Sequence, residues 1–216
     1  MSATRGRNHV VGRRSTEYSM TRTQVLSAFI ISVLASHLLT AEEAVDEYAS
    51  VRSVINTCEV CHGVSGASTL QQYPILAGQE FYYIYVQLKD FQSGLREGPI
   101  MGPLVSGLDK ETMQLLAKYF SEGSWPETDY AADEQQTRSG RTVIAAGQCV
   151  ACHLGAFHGN SRIPRLAGQH AEYLSKTMLD FKSRSRNNAP DKGSLMATFS
   201  DEQISDVAQY LSALRE

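Results

Sequence analysis

Cysteine and tryptophan are scarce in this chain, at four and one among 216 residues. The four cysteines fall in two short motifs, so no thiol is left over for any other purpose. Long apolar runs are also missing. The one strongly apolar stretch, residues 25–39, is fifteen residues long, short of the about 20 that a bilayer span needs. Basic charge is in deficit once the N-terminus is set aside. The first 41 residues hold Arg5, Arg7, Arg13, Arg14 and Arg22 against Glu17 alone, and the rest carries 15 basic and 22 acidic residues, a net charge of −7. That balance argues against nucleic acid or an anionic membrane surface as a partner. Little in the sequence suggests strands. Hydrophobic content is ordinary at 42%, so a packed core is feasible and the length allows one or two domains.

The apolar run with Arg22 before it suits the hydrophobic region of an export signal. Ala35 and Ala41 are both plausible cleavage points; Ala41 is favoured because acidic, helix-forming sequence begins there. Met20 to Ala41 alone has every part of such a signal. Arg13-Arg14 lies too far upstream for a twin-arginine reading. Residues 1–41 are therefore expected to be a leader and signal peptide, and an uncleaved leader would leave the protein anchored. Either way the cysteines end up outside the cytoplasm.

Those cysteines form Cys58-Glu59-Val60-Cys61-His62 and Cys149-Val150-Ala151-Cys152-His153. Cys-x-x-Cys-His is the attachment signal of c-type haem. Two thiols add across the vinyl groups, and the adjacent histidine is placed to reach the iron from one face. A dithiol redox pair and a zinc site also use Cys-x-x-Cys, but neither needs a histidine directly after the second cysteine. The spacing predicts two covalently attached haem c groups, bound through Cys58 and Cys61 and through Cys149 and Cys152, with His62 and His153 as iron ligands.

The chain repeats itself. Pro74-Ile75-Leu76-Ala77-Gly78-Gln79 returns as Pro164-Arg165-Leu166-Ala167-Gly168-Gln169, and Tyr83, Asp90, Phe91, Ser93 and Arg96 return as Tyr173, Asp180, Phe181, Ser183 and Arg186. Each copy owns one haem motif. Apolar spacing predicts helices over 42–57, 79–92 and 109–121 in the first copy. The second copy repeats the plan over 133–148, 169–183 and 200–215, with Ser200-x-x-Gln203 as a capping box. Domains are expected at 42–122 and 137–216, joined by a linker at 123–136. The aromatics Phe81, Tyr82, Tyr83, Tyr85 and Phe91 suit core or inter-domain packing.

These residues resemble the dihaem cytochromes c4, in which a class I cytochrome c is duplicated within one chain. The carriers are both Cys-x-x-Cys-His motifs, both Pro-x-Leu-Ala-Gly-Gln segments, the middle helix ending in Phe-x-Ser-x-x-Arg, and the closing helix with Tyr119 or Tyr210; the likeness covers about 42–216. It implies an all-α protein of two tandem class I cytochrome c domains. It also implies a periplasmic carrier passing single electrons from a quinol- or dehydrogenase-side donor toward a terminal oxidase or reductase. In this family a proline carbonyl holds the second ring nitrogen of the iron-binding histidine, which places Pro74 and Pro164 in that role. A methionine before the last helix is the family's sixth ligand. Met101 occupies that loop in the first copy and Met196 in the second, although Met196 falls four residues late relative to the repeat. Met113 and Met178 read as core.

Among other histidines, His158 is too close to His153 to reach the opposite face of the same haem, and His170 is expected to be exposed. Arg162, Arg165, Arg184 and Arg186 either offset haem propionates or face the acidic half. Two other functions fit the same motifs: a dihaem relay subunit of a periplasmic dehydrogenase, and a haem enzyme with an open distal position. No catalytic acid–base pair is evident, which favours the carrier.

Overall fold

The computed structural model describes residues 46–215. The expected leader, its cleavage points and His9 and His37 lie outside the described residues. From Glu47 onward the chain forms one compact unit. The described residues are helical, with only isolated β-bridges between them. None of the described helices is long and apolar enough to cross a membrane.

In the first half a 3₁₀ turn at Ala49–Val51 runs into α1 (Arg52–His62), followed by α2 (Phe81–Ser93), α3 (Met101–Val105) and α4 (Lys110–Ser121). Asp109 caps α4, its carboxylate accepting the Thr112 N–H at 2.7 Å. The buried stripe of α4 is Met113, Leu116, Ala117 and Phe120. Leu116 packs against Val51 and Ile55, while Ala117 and Phe120 pack with Ile84 of α2.

The second half holds α5 (Glu134–Ala146), α6 (Val150–His153), α7 (Ala171–Ser183), α8 (Pro190–Met196) and α9 (Asp201–Ala213). Ser200 and Gln203 form the expected capping box on α9. Ile204, Val207, Ala208 and Leu211 are the buried stripe of α9, and the last three join Val143, Ile144, Phe157, Ala167 and Leu174 in one core. Gly140 is where α5 crosses α9. A Cβ there would stand 2.3 Å from the Asp206 carbonyl oxygen, so only glycine permits this approach.

The structure departs from the expected elements in three places. The helix expected over 42–57, of which 42–45 lie outside the described residues, starts only with the 3₁₀ turn at Ala49–Val51 and runs on as α1 through the haem motif to His62. The helix expected over 133–148 ends at Ala146, Gln148 turns to φ +49°, and the haem motif stands on its own short helix. Gly147 favours the break. Glycine weakens a helix, and the Phe199 ring packs where its Cβ would lie, 3.1 Å away. The segments around Met101 and Met196, expected as loops, wind into helices of five and seven residues. Elements this short are below the length at which apolar periodicity can be read.

Candidate haem centres

Helix α1 puts Cys58, Cys61 and His62 at i, i+3 and i+4 on one face. It stops at Gly63 (φ +75°), where a Cβ would meet the Ala67 carbonyl at 2.6 Å. The chain can then fold back under the histidine. Buried His62 brings Nδ1 within 2.9 Å of the Pro74 carbonyl oxygen, and His153 brings Nδ1 within 3.1 Å of that of Pro164. A carbonyl only accepts, so Nδ1 carries the proton and Nε2 holds the lone pair. Among the described residues neither Nε2 has a hydrogen-bond partner. Burial lowers both imidazole pKa values against the opposing pull of the proline carbonyl, and Lys192 adds to the lowering at His153. Each histidine is therefore a neutral imidazole presenting the nitrogen that a metal takes.

The thiols argue in the same direction. All four are free. Burial pushes the Cys58 thiol up to about 11 and raises that of Cys149. A working dithiol needs a stabilised thiolate, the reverse of the surroundings of Cys58 and Cys149. Among the described residues no three His, Cys, Asp or Glu side chains converge as a metal cluster. In each half, two free thiols beside one open imidazole nitrogen fit a covalently attached haem.

The four methionines among the described residues have distinct places. Met113 is buried on α4 and Met178 packs against the second-half core. Met101 opens α3 and Met196 closes α8, and both are partly buried outside the core clusters. His158 is exposed. His170 corrects the sequence reading, since it is 5% exposed rather than solvent-facing. Its Nε2 donates to the Ser68 carbonyl at 2.8 Å and its Nδ1 accepts from Gln71 Nε2 at 3.2 Å. Both partners belong to the other half, so a reading of one half alone leaves the residue uncovered.

The contact between the halves follows an approximate two-fold. Arg96 and Arg186 pair as an antiparallel bridge. Each guanidinium lies 4.4 Å above the phenylalanine of its own middle helix, Phe91 and Phe181. Arg96 then donates to Tyr173 Oη of the opposite helix at 3.3 Å, and Arg186 to Tyr83 Oη at 3.4 Å. Burial raises the Tyr173 phenol's pKa, but the two guanidiniums outweigh burial and bring it down to about 7. Arg186 and Gln87 complete this cluster at 2.8 Å, so Arg186 faces the acidic half. The backbone N–H of Tyr83 donates to the Ser161 carbonyl, and that of Tyr173 to the Gln71 carbonyl, each at 3.1 Å. Each middle helix thus has an unpaired N-terminal donor satisfied by the other half. Phe81 and Tyr85 pack into the first-half core while Tyr82 is 54% exposed.

Sequence reasoning missed what Gln79 and Gln169 do. Both are buried and bond backbone of the opposite half, Gln79 at Arg165 and Gln169 at Ile75. The signal was present, since the Leu-Ala-Gly-Gln segment is the best-kept part of the repeat. Trp125 lies against both glycines of those segments. A Cβ at Gly78 would stand 3.0 Å from its backbone nitrogen, and one at Gly168 3.0 Å from its Nε1.

Comparison with known proteins converges on one family. The cytochrome c family pattern matches residues 137–215. Cytochrome c4 of Thiocapsa roseopersicina is 33% identical, covering 83% of this chain and 98% of the relative. The thiosulfate dehydrogenase electron acceptor of Stutzerimonas stutzeri is 32% identical, covering 72% of this chain and 77% of the relative. The crystal structure of reduced recombinant cytochrome c4 from Pseudomonas stutzeri superposes with a TM-score of 0.69 at 27% identity, over 76% of this chain and 96% of that one. With this fold, two haem-attachment motifs and a relative matched over nearly its whole length, the chain belongs to the cytochrome c4 family, dihaem electron carriers built from two tandem class I cytochrome c domains and carrying two covalent haem c groups.

Proposed function

We propose that the chain carries electrons between periplasmic redox proteins through two six-coordinate haems. Cys58 and Cys61 hold the first and Cys149 and Cys152 the second, with His62 and Met101 as axial ligands in one centre and His153 and Met196 in the other. The observation that carries this reading is the pair of Nδ1 contacts to Pro74 and Pro164, which fixes the ligating tautomer in both halves. The haem domains correspond to residues 42–122 and 137–216, joined by 123–136.

Bound haem supplies a one-electron couple, and a thioether ligand favours its reduced form. The chain's own part is to hold each imidazole in one tautomer and orientation through a proline carbonyl. Donors on the quinol or dehydrogenase side and acceptors on the oxidase or reductase side suit such a carrier. The Stutzerimonas relative, named as an electron acceptor of thiosulfate dehydrogenase, favours a second reading of the donor as a sulfur-oxidising dehydrogenase. Haem attachment outside the cytoplasm and the signal-like N-terminus favour periplasmic residence.

Optical spectra with a redox titration test this. Two haems per chain resistant to acid-acetone extraction are expected, with a far-red methionine-to-iron band from both when oxidised. A centre lacking that band would overturn the carrier assignment in favour of an open distal site.

A further inference from the structure

Gln79 and Gln169 are 4% and 2% exposed. The Gln169 Oε1 accepts the Ile75 N–H at 2.9 Å, and its Nε2 donates to the Ile75 carbonyl at 3.0 Å. Gln79 repeats this on Arg165, at 2.8 Å and 3.0 Å. The Ile75 N–H belongs to the same peptide group as the Pro74 carbonyl that accepts from His62. The Arg165 N–H likewise shares its peptide group with the Pro164 carbonyl that accepts from His153. Each imidazole is joined to a glutamine of the opposite half through a single planar peptide unit.

Amide resonance links the nitrogen of such a unit to its oxygen. An acceptor on the N–H pushes electron density toward the carbonyl oxygen, and hydrogen bonds in series strengthen one another. A stronger acceptor on Nδ1–H makes the imidazole more basic at Nε2, and a more basic ligand stabilises ferric over ferrous iron. The second glutamine bond fixes the backbone next to this peptide, and hence the tilt of the imidazole. We propose that Gln169 lowers the potential of the haem held by His62 and that Gln79 lowers the potential of the haem held by His153. Each acts as a positioning residue from the opposite half. This coupling presupposes the axial ligation proposed above.

Methionine has a length and volume close to glutamine but lacks its amide, so Gln169→Met and Gln79→Met in the haem-loaded protein are the test. Gln169→Met raises the potential of the His62 haem and leaves the other near its wild-type value; Gln79→Met does the mirror experiment. In the ferrous protein the Nδ1–H proton resonance of His62 moves upfield in Gln169→Met, and that of His153 does so in Gln79→Met. Equal shifts at both haems, shifts confined to the mutated half, or unmoved potentials would each overturn the proposal. The wild-type spectrum is taken first. If it lacks two methionine-ligated haems, the ligation reading fails, independently of the glutamines. If neither variant loads haem, amide exchange in the wild-type protein decides. Slow exchange at both Ile75 and Arg165 is expected, and rapid exchange at either overturns the proposal.

Discussion

Single side chains at the two centres divide into those that packing explains and those it leaves available. Met113 and Met178 are explained by the cores they fill, whereas Met101 and Met196 stand at the ends of short helices outside those cores. Met101→Leu and Met196→Leu should each remove roughly half of the far-red band and lower the potential of one haem. Met113→Leu should leave the band intact, which absorbance of the oxidised protein checks. His170 gives a pH signature. Burial holds its pKa below the ordinary 6.5, against the opposing Ser68 carbonyl bond. The unfolded imidazole therefore takes up a proton at higher pH than the folded one. Its contribution to stability is full above about pH 6.5 and is lost as pH falls toward the depressed folded value. Chemical denaturation of wild type and His170→Gln across pH 5–8 should show this slope in the wild type and a flatter profile in the variant.

At the scale of helices, the capping residues behave as local sequence predicts. Ser200 and Gln203 exchange the expected bonds, at 3.1 Å and 2.9 Å, and Ser200→Ala should cost about 1 kcal/mol. Gly140 is different in kind. Alanine would gain helix propensity, but its methyl would sit 2.3 Å from the Asp206 carbonyl oxygen of α9. Overpacking of that sort costs about 1–3 kcal/mol, so Gly140→Ala should lower the midpoint of thermal unfolding. A raised midpoint would mean that α5 and α9 do not cross so closely. The break between α5 and α6 belongs here too. The helix is expected to run to 148, yet Phe199, 52 residues further along the chain, occupies the space beside Gly147.

Over the whole molecule the charge is uneven. Residues 42–136 carry a net −10 and residues 137–216 a net +3. Such a dipole orients a protein during encounter, and ions screen it over about 10 Å at 0.1 M salt. Transfer rates with charged redox partners should therefore change with ionic strength, and by different amounts for partners that reduce and partners that oxidise. Stopped-flow rates that stay flat from low to high salt would remove this role for the dipole.

The cofactor motifs, the duplication, the main helices and their caps are legible in the residues alone. That is because each is written in residues within a turn or two of one another: thiols three apart, a histidine alongside, a serine three before its glutamine. Histidine support by Pro74 and Pro164 is also near in the chain, at 12 and 11 residues. The burial of His170, the turn of Arg186 toward the first half, and the reach of Gln79 and Gln169 to peptides 86 and 94 residues away come from folding. Those partners meet because two similar halves pack about an approximate two-fold. Hydrogen bonds across such a contact leave no period in either copy, since the spacing of residues along one chain does not encode which loop of its twin will cover them.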